Sequence, residues 1–306
     1  MSSTPDSVGT VEEGPIAAVL AALARDDPAG VVSALDGQLH HGRPGSPASL
    51  RQQVGERLAT ALAQQTGRVS RWIDALVSSP SPTARQVACL LLASRYPEDP
   101  SGVLETAETL AEDPHWEVRE AAGGLLGSLL DRDFNRVLPR LEVLRGSRSE
   151  NLRRAVVLAV KYAARRDQPD RVPDLLQVVA PLLRSPEPYV RRNLGPNAIG
   201  DGLLRTNPKE TIRCLREWSR DRDPMVRWNV AMVFSSAIGS FHWPAAKAIL
   251  ERLAKGPEPI VRNAVAKAMR RCRQRYTEEV EETRLRWLKE SDRRATAELV
   301  GPLKKR

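Results

Sequence analysis

The residues of this 306-residue chain that could do chemistry are carboxylates and cations, not nucleophiles or metal ligands. No GxGxxG, P-loop, HExxH or GxSxG motif occurs. The four histidines (His40, His41, His115, His242) lack metal-ligand spacing. The three cysteines (Cys89, Cys214, Cys272) stand far apart without a CxxC pair and read as reduced, buried thiols. No metal and no cofactor is therefore expected. The one catalytic class this inventory permits is cleavage of a glycosidic bond, in which an Asp or Glu stabilises positive charge developing on a sugar. Beside it stands a supply of arginine suited to holding phosphate.

The formal net charge is +9, and it is unevenly placed. Residues 1–110 hold 8 Lys/Arg against 12 Asp/Glu, and residues 111–306 hold 39 against 26. A basic field of that size attracts polyanions, of which nucleic acid is the commonest in a cell. No apolar run approaches the roughly 18 residues of a membrane-spanning helix, which argues against a membrane protein. The first residues lack a basic start followed by an apolar stretch, so no secretory signal is expected and a cytoplasmic location is.

Those side chains are positioned by a repeat. Pro82-Thr83-Ala84-Arg85 opens a series continued by Asp113-Pro114-His115-Trp116-Glu117-Val118-Arg119 and Ser147 to Arg153. Pro186 to Arg191, Asp223 to Arg227 and Pro257 to Arg262 complete it. Each is a turn followed by an arginine near a helix start, and the arginines at 85, 119, 153, 191, 227 and 262 are 34, 34, 38, 36 and 35 residues apart. Between them, apolar residues recur three and four apart, as in Val226, Val230, Val233 and Phe234. A second amphipathic run precedes each next turn, such as Ile212, Leu215 and Trp218. Nothing alternates with period two, so no sheet is expected. Two helices per unit of about 35 residues predict an all-α, right-handed α-solenoid.

The pattern of a turn, then Val-Arg, then Ala or Val three residues later resembles the HEAT repeat over roughly residues 66–275. The expected organisation is a disordered N-terminus at 1–14, a helical cap at 15–79 broken by a loop at 41–47, the HEAT-like array at 80–275, and a charged helix with a basic tail at 276–306.

Stacked repeats can be read in columns. One residue before the repeat arginine stand Val118, Val190, Val226 and Val261, and three after it Ala122, Val156, Leu194, Val230 and Val265, which is a core face. One residue after the arginine the column reads Glu120, Arg154, Arg192, Trp228 and Asn263, which cannot be core. The HEAT resemblance places the second helices on the concave side, so these side chains would project into a groove. Two readings attach to the repeat arginines Arg119, Arg153, Arg191, Arg227 and Arg262. They form a ladder to acidic or carbonyl groups of neighbouring repeats, or, for Arg191 and Arg227, they contact a DNA backbone. The additional cations Arg154 and Arg192, with Lys161, Arg165 and Arg166, are the better phosphate ligands, since adjacent repeats stack at about 10 Å.

The fourth repeat departs from the rule. Its second helix contains Gly195, Pro196, Gly200 and Gly202, where a proline costs about 3 kcal/mol and each glycine about 1. Ten residues after the arginine, the column reads Leu129, Ala163, Asp201, Ala237 and Cys272. Asp201 thus occupies an otherwise apolar column, where a carboxylate must be paired, exposed by a kink or protonated. It either serves function or caps a helix restarting after Gly200.

Asp113 to Ala122 (DPHWEVREAA) and Tyr189 to Pro208 (YVRRNLGPNAIGDGLLRTNP) resemble the bacterial DNA alkylation repair proteins of the AlkC/AlkD type. The resemblance implies a basic cradle for duplex DNA and excision of cationic alkylated bases. Asp201 or Glu120 would stabilise the oxocarbenium-like transition state, and Trp228 and Trp116 would face the lesion by cation–π contact. Between Arg192 and Pro208 this chain runs two residues longer than the family pattern. A non-catalytic HEAT scaffold that binds a protein partner or distorted DNA is the alternative, and a monomer is expected.

Overall fold

The computed structural model describes residues 13–37, 39–40, 43–44, 47–63 and 65–303. Residues 1–12 of the N-terminal stretch and the basic tail Lys304–Arg306 lie outside the described residues. The chain divides into two compact units, Met1–Leu129 and Leu130–Arg306.

Unit 1 holds α1 (Glu13–Ala24), α2 (Pro28–Asp36), α3 (Ala48–Leu62), α4 (Thr66–Val77), α5 (Pro82–Arg95), α6 (Pro100–Ala111) and α7 (Trp116–Arg132), whose last turn crosses the boundary. The expectation of no sheet is corrected at one place. Strands β1 (Leu39–His40) and β2 (Arg43–Pro44) form a two-residue antiparallel ladder, with Leu39 opposite Pro44 and His40 opposite Arg43. Glu13 and Gly14 open α1.

Unit 2 continues with α8 (Phe134–Leu144), α9 (Glu150–Ala163), α10 (Val172–Val179) and α11 (Pro188–Asn193). Next come α12 (Leu204–Thr206), α13 (Pro208–Trp218), α14 (Pro224–Val233), α15 (Trp243–Leu253), α16 (Pro259–Arg273), α17 (Thr277–Trp287) and α18 (Arg294–Val300). Between α11 and α12 the chain forms a ten-residue π-helix, Leu194–Leu203.

The turn chemistry explains where these helices begin. A proline with its fixed φ opens α5, α6, α11, α13, α14 and α16. Ser81, Asp99, Asn207 and Asp223 accept from backbone N–H groups in the first turns of α5, α6, α13 and α14. Val118, Val190, Val226 and Val261 are fully buried, as are Ala122, Val156, Leu194, Val230 and Val265. The second helices therefore turn the same stripe inward; the residue after the repeat arginine is half-buried or exposed at Glu120, Arg192, Trp228 and Asn263, but Arg154 is buried, which corrects the expectation that this column lies off the core.

Candidate nucleic-acid interface

The repeat arginines are tied into the fold. In unit 1, Arg85 forks onto Asp113, Nε to Oδ2 at 2.6 Å and Nη2 to Oδ1 at 3.1 Å, and its Nη1 donates to the Ser79 carbonyl at 2.7 Å. Arg119 donates to the carbonyls of Asp113 and Pro114. In unit 2, Arg153 reaches back to the Ser147 carbonyl at 2.5 Å and forward to Glu187 at 2.8 Å. The Ser185 hydroxyl and, more weakly, Arg153 hold the Glu187 carboxyl below its ordinary value. Arg227 donates to Glu258 at 2.5 Å, and Arg262 to the carbonyls of Gly256 and Pro257. Each bond closes a turn or links it to the next repeat.

Arg191 departs from the pattern. In the following turn, the Asp223 carboxylate caps α14 through the Met225 N–H, as Asp113 caps through the His115 N–H, but takes no bond from the repeat arginine before it. Arg191 instead donates to Met225 Sδ at 3.1 Å and lies over the Trp228 ring, 5.0 Å from its centroid. Trp228 is half-buried, with one indole face engaged by a guanidinium.

The structure separates the additional cations. Arg154 is buried and stacks on Tyr189 at 4.5 Å, a platform that its sequence position did not announce. Arg192 is exposed and makes no hydrogen bond or ion pair with any described residue. Lys161 is half-buried over the exposed Tyr162 ring at 4.6 Å. Arg165 is held by Asp131 and Asp167, whereas Arg166 is exposed and makes no ion pair with a described residue.

The extra residues of the fourth repeat are absorbed by the π-helix, which gains residues per turn relative to an α-helix. Its glycines permit close packing. A Cβ on Gly195 would lie 2.8 Å from the Asn229 carbonyl, and one on Gly200 would lie 2.5 Å from Ser236 Oγ. Asp201 is half-buried, and its Oδ1 accepts from the Ile238 N–H at 2.9 Å. It caps backbone of the following repeat rather than its own helix, and its Oδ2 makes no hydrogen bond with a described residue.

In unit 1, Trp116 opens α7 and is 57% exposed, while Glu120 lies one turn further along and is half-buried. No group of His, Cys, Asp and Glu suited to a metal ion occurs among the described residues. All three thiols are buried, and burial pushes Cys89 and Cys272 up to about 12. No described helix is long and apolar enough to cross a membrane.

These helix pairs, locked by one arginine per turn, define an all-α repeat protein of the α-solenoid class. The family model for HEAT repeats matches residues 69–161 and 176–270, and the chain belongs to that family. No curated protein matches. Among solved structures, YibA of Escherichia coli is 15% identical over 99% of this chain and 100% of its own, with a TM-score of 0.40. A mutant of Kap121p is 17% identical over 91% of this chain and 31% of its own, with a TM-score of 0.38. Likenesses at this level carry no functional argument.

Proposed function

We propose that this HEAT-repeat scaffold binds duplex DNA through the second helices of unit 2, in the manner of the alkylation repair proteins that two of its segments resemble. The observation that carries the reading is a division of labour among cations. The repeat arginines, Arg227 and Arg191 included, are spent on turns and stacking, while Arg192, Lys161 and Arg166 have no carboxylate partner among the described residues. Cations left unneutralised in a unit so rich in arginine are free to displace counterions from phosphate. Buried Arg154 contributes through its field and by fixing Tyr189.

The test is duplex affinity as a function of salt. Replacing Lys161 and Arg192 by glutamine is expected to weaken binding and reduce the salt slope by about two units. An unchanged slope discards this face, and a shallow slope in the wild type, with capture of an acidic peptide instead, hands the protein to the scaffold alternative.

A finer reading rests on Asp201, a half-buried carboxylate with one oxygen holding the Ile238 N–H. For a cationic methylpurine, the C1′–N bond breaks, the base leaves neutral with the bonding electrons, and water adds at C1′ with loss of a proton. In unit 2, Asp201 would stabilise the sugar cation with Trp228 as a face for the base; in unit 1, Glu120 and Trp116 on α7 are the other candidate pair. Base release from methylated duplex decides it. Release that Asp201→Asn or Glu120→Gln abolishes, with binding retained, identifies the carboxylate; no release by the wild type leaves a DNA-binding scaffold.

A further inference from the structure

A second basic feature lies at the intra-repeat turns of unit 2. The ends of α13 and α15, the turns after them and the start of α14 line an open depression of about 310 Å³ whose charged residues are Arg220, Asp221, Arg227, Arg252 and Lys255. None of the candidate phosphate contacts on the second helices other than Arg227 belongs to it.

The charges of the lining can be balanced one by one. The Asp221 carboxylate accepts from Arg184 Nη2 at 2.6 Å and from the Asp223 N–H at 2.8 Å, so the pocket's acid is already neutralised by an arginine outside the lining. Arg227 is neutralised by Glu258 at 2.5 Å, and Lys255 by Asp292 at 3.4 Å. Arg220 and Arg252 remain, both exposed, and neither side chain makes an ion pair or hydrogen bond with a described residue. The carbonyl ends of two helices offset about one unit of that double charge. Helix dipoles do not by themselves demand cations at such turns, since the corresponding turn after α6 begins with Glu112. A small concave site that keeps surplus positive charge, and whose lining residues include two arginines without a carboxylate partner, matches a compact oxyanion.

We propose that this pocket binds a phosphate dianion, either inorganic phosphate or the phosphomonoester group of a small molecule. A phosphomonoester presents three unesterified oxygens to the two guanidinium groups and a phosphodiester only two, so the diester fits less well, and the site is distinct in chemistry from the DNA-backbone contacts proposed above and does not depend on them.

Isothermal titration of the full chain at fixed ionic strength, with inorganic phosphate, glycerol phosphate and dimethyl phosphate as probes, tests this. Saturable binding of the first two is expected, with dimethyl phosphate at least about tenfold weaker. Affinity should fall from about pH 8 to about pH 5 as the dianion takes up a proton. The Arg220→Gln/Arg252→Gln variant, whose altered side chains hold no other part of the fold, should melt like the wild type and lose at least about tenfold in phosphate affinity. Lys161→Gln/Arg192→Gln should bind phosphate unchanged. Tighter glycerol phosphate would identify an esterified ligand, and tighter inorganic phosphate the free ion, either in support. Absence of saturable phosphate binding, equal affinity in the Arg220/Arg252 variant, or a diester bound as tightly as a monoester would overturn the proposal.

Discussion

The two units use the same arginine for the same purpose and differ in the residue that follows it. In unit 1, Arg85 and Arg119 are followed by Gln86 and Glu120; in unit 2, Arg153, Arg191, Arg227 and Arg262 are followed by Arg154, Arg192, Trp228 and Asn263. Unit 1 carries 9 Lys/Arg against 16 Asp/Glu, unit 2 carries 38 against 22, and the sign of the charge reverses while the turn device persists. A repeat arginine is thus a statement about folding, and its neighbour is where the units diverge toward different surfaces. The regularity that reveals the fold is, for the same reason, uninformative about the ligand.

The sharpest way to break that comparison is to remove the turn arginine in each unit. Asp113 is buried and receives both Arg85 bonds and the His115 N–H. Arg85→Ala leaves that carboxylate without its counter-charge, and a loss of about 3–5 kcal/mol is expected. Arg153→Ala strands Glu187, which is more exposed and keeps the Ser185 hydroxyl, so roughly 1–3 kcal/mol is expected. Urea unfolding of both variants measures the difference. Equal losses would mean that the ladder is an electrostatic average and not a set of local locks.

Much of the fold was legible because it is written six times. The arginine spacing, the valine preceding four of the six arginines and the proline in five of the six turns fix where helices start and which stripe is core. The partners were not legible, because Asp113, Glu187 and Glu258 sit in the next repeat's turn, 28 to 34 residues away. The candidate site was legible only as a set of residue types. Arg154 and Arg192 share a column, yet one lies on Tyr189 and the other in solvent, because an aromatic occupies the N-terminal turn of α11. Helix propensity marked the glycines of the fourth repeat as costly, but their compensation depends on how closely α14 approaches, which no local rule contains.

That compensation is testable at a smaller scale. Gly200→Ala would put a methyl 2.5 Å from Ser236 Oγ and 2.8 Å from the Val233 carbonyl, so a loss of about 1–3 kcal/mol is expected despite alanine's better helix propensity. Gly67 in α4 meets nothing within 4 Å, and Gly67→Ala should be neutral or stabilising by up to about 1 kcal/mol. Thermal melts with opposite shifts would show that glycine serves packing in unit 2; shifts of one sign would show that backbone propensity governs both.

The smallest effect concerns a clamp peculiar to unit 1. Asp26, at φ 57°, accepts from Trp72 Nε1 at 2.7 Å, Arg68 Nε at 2.6 Å and Arg71 Nη2 at 3.0 Å, fastening the turn between α1 and α2 to α4. The Trp72 hydrogen bond, followed by that from Arg68, lowers the Asp26 carboxyl to about 2, below its ordinary 3.8. A carboxyl depressed on folding adds stability that is complete above the unfolded value and disappears as pH falls through the folded one. The contribution should be present at pH 5 and above and decline between about pH 4 and pH 2. Asp26→Asn, which keeps an acceptor and tolerates positive φ, should melt lower than the wild type at neutral pH and converge with it in acid. Two melting curves that stay parallel down to about pH 2 would show that the clamp acts by hydrogen bonding alone, and that charge distinguishes the units only on their surfaces.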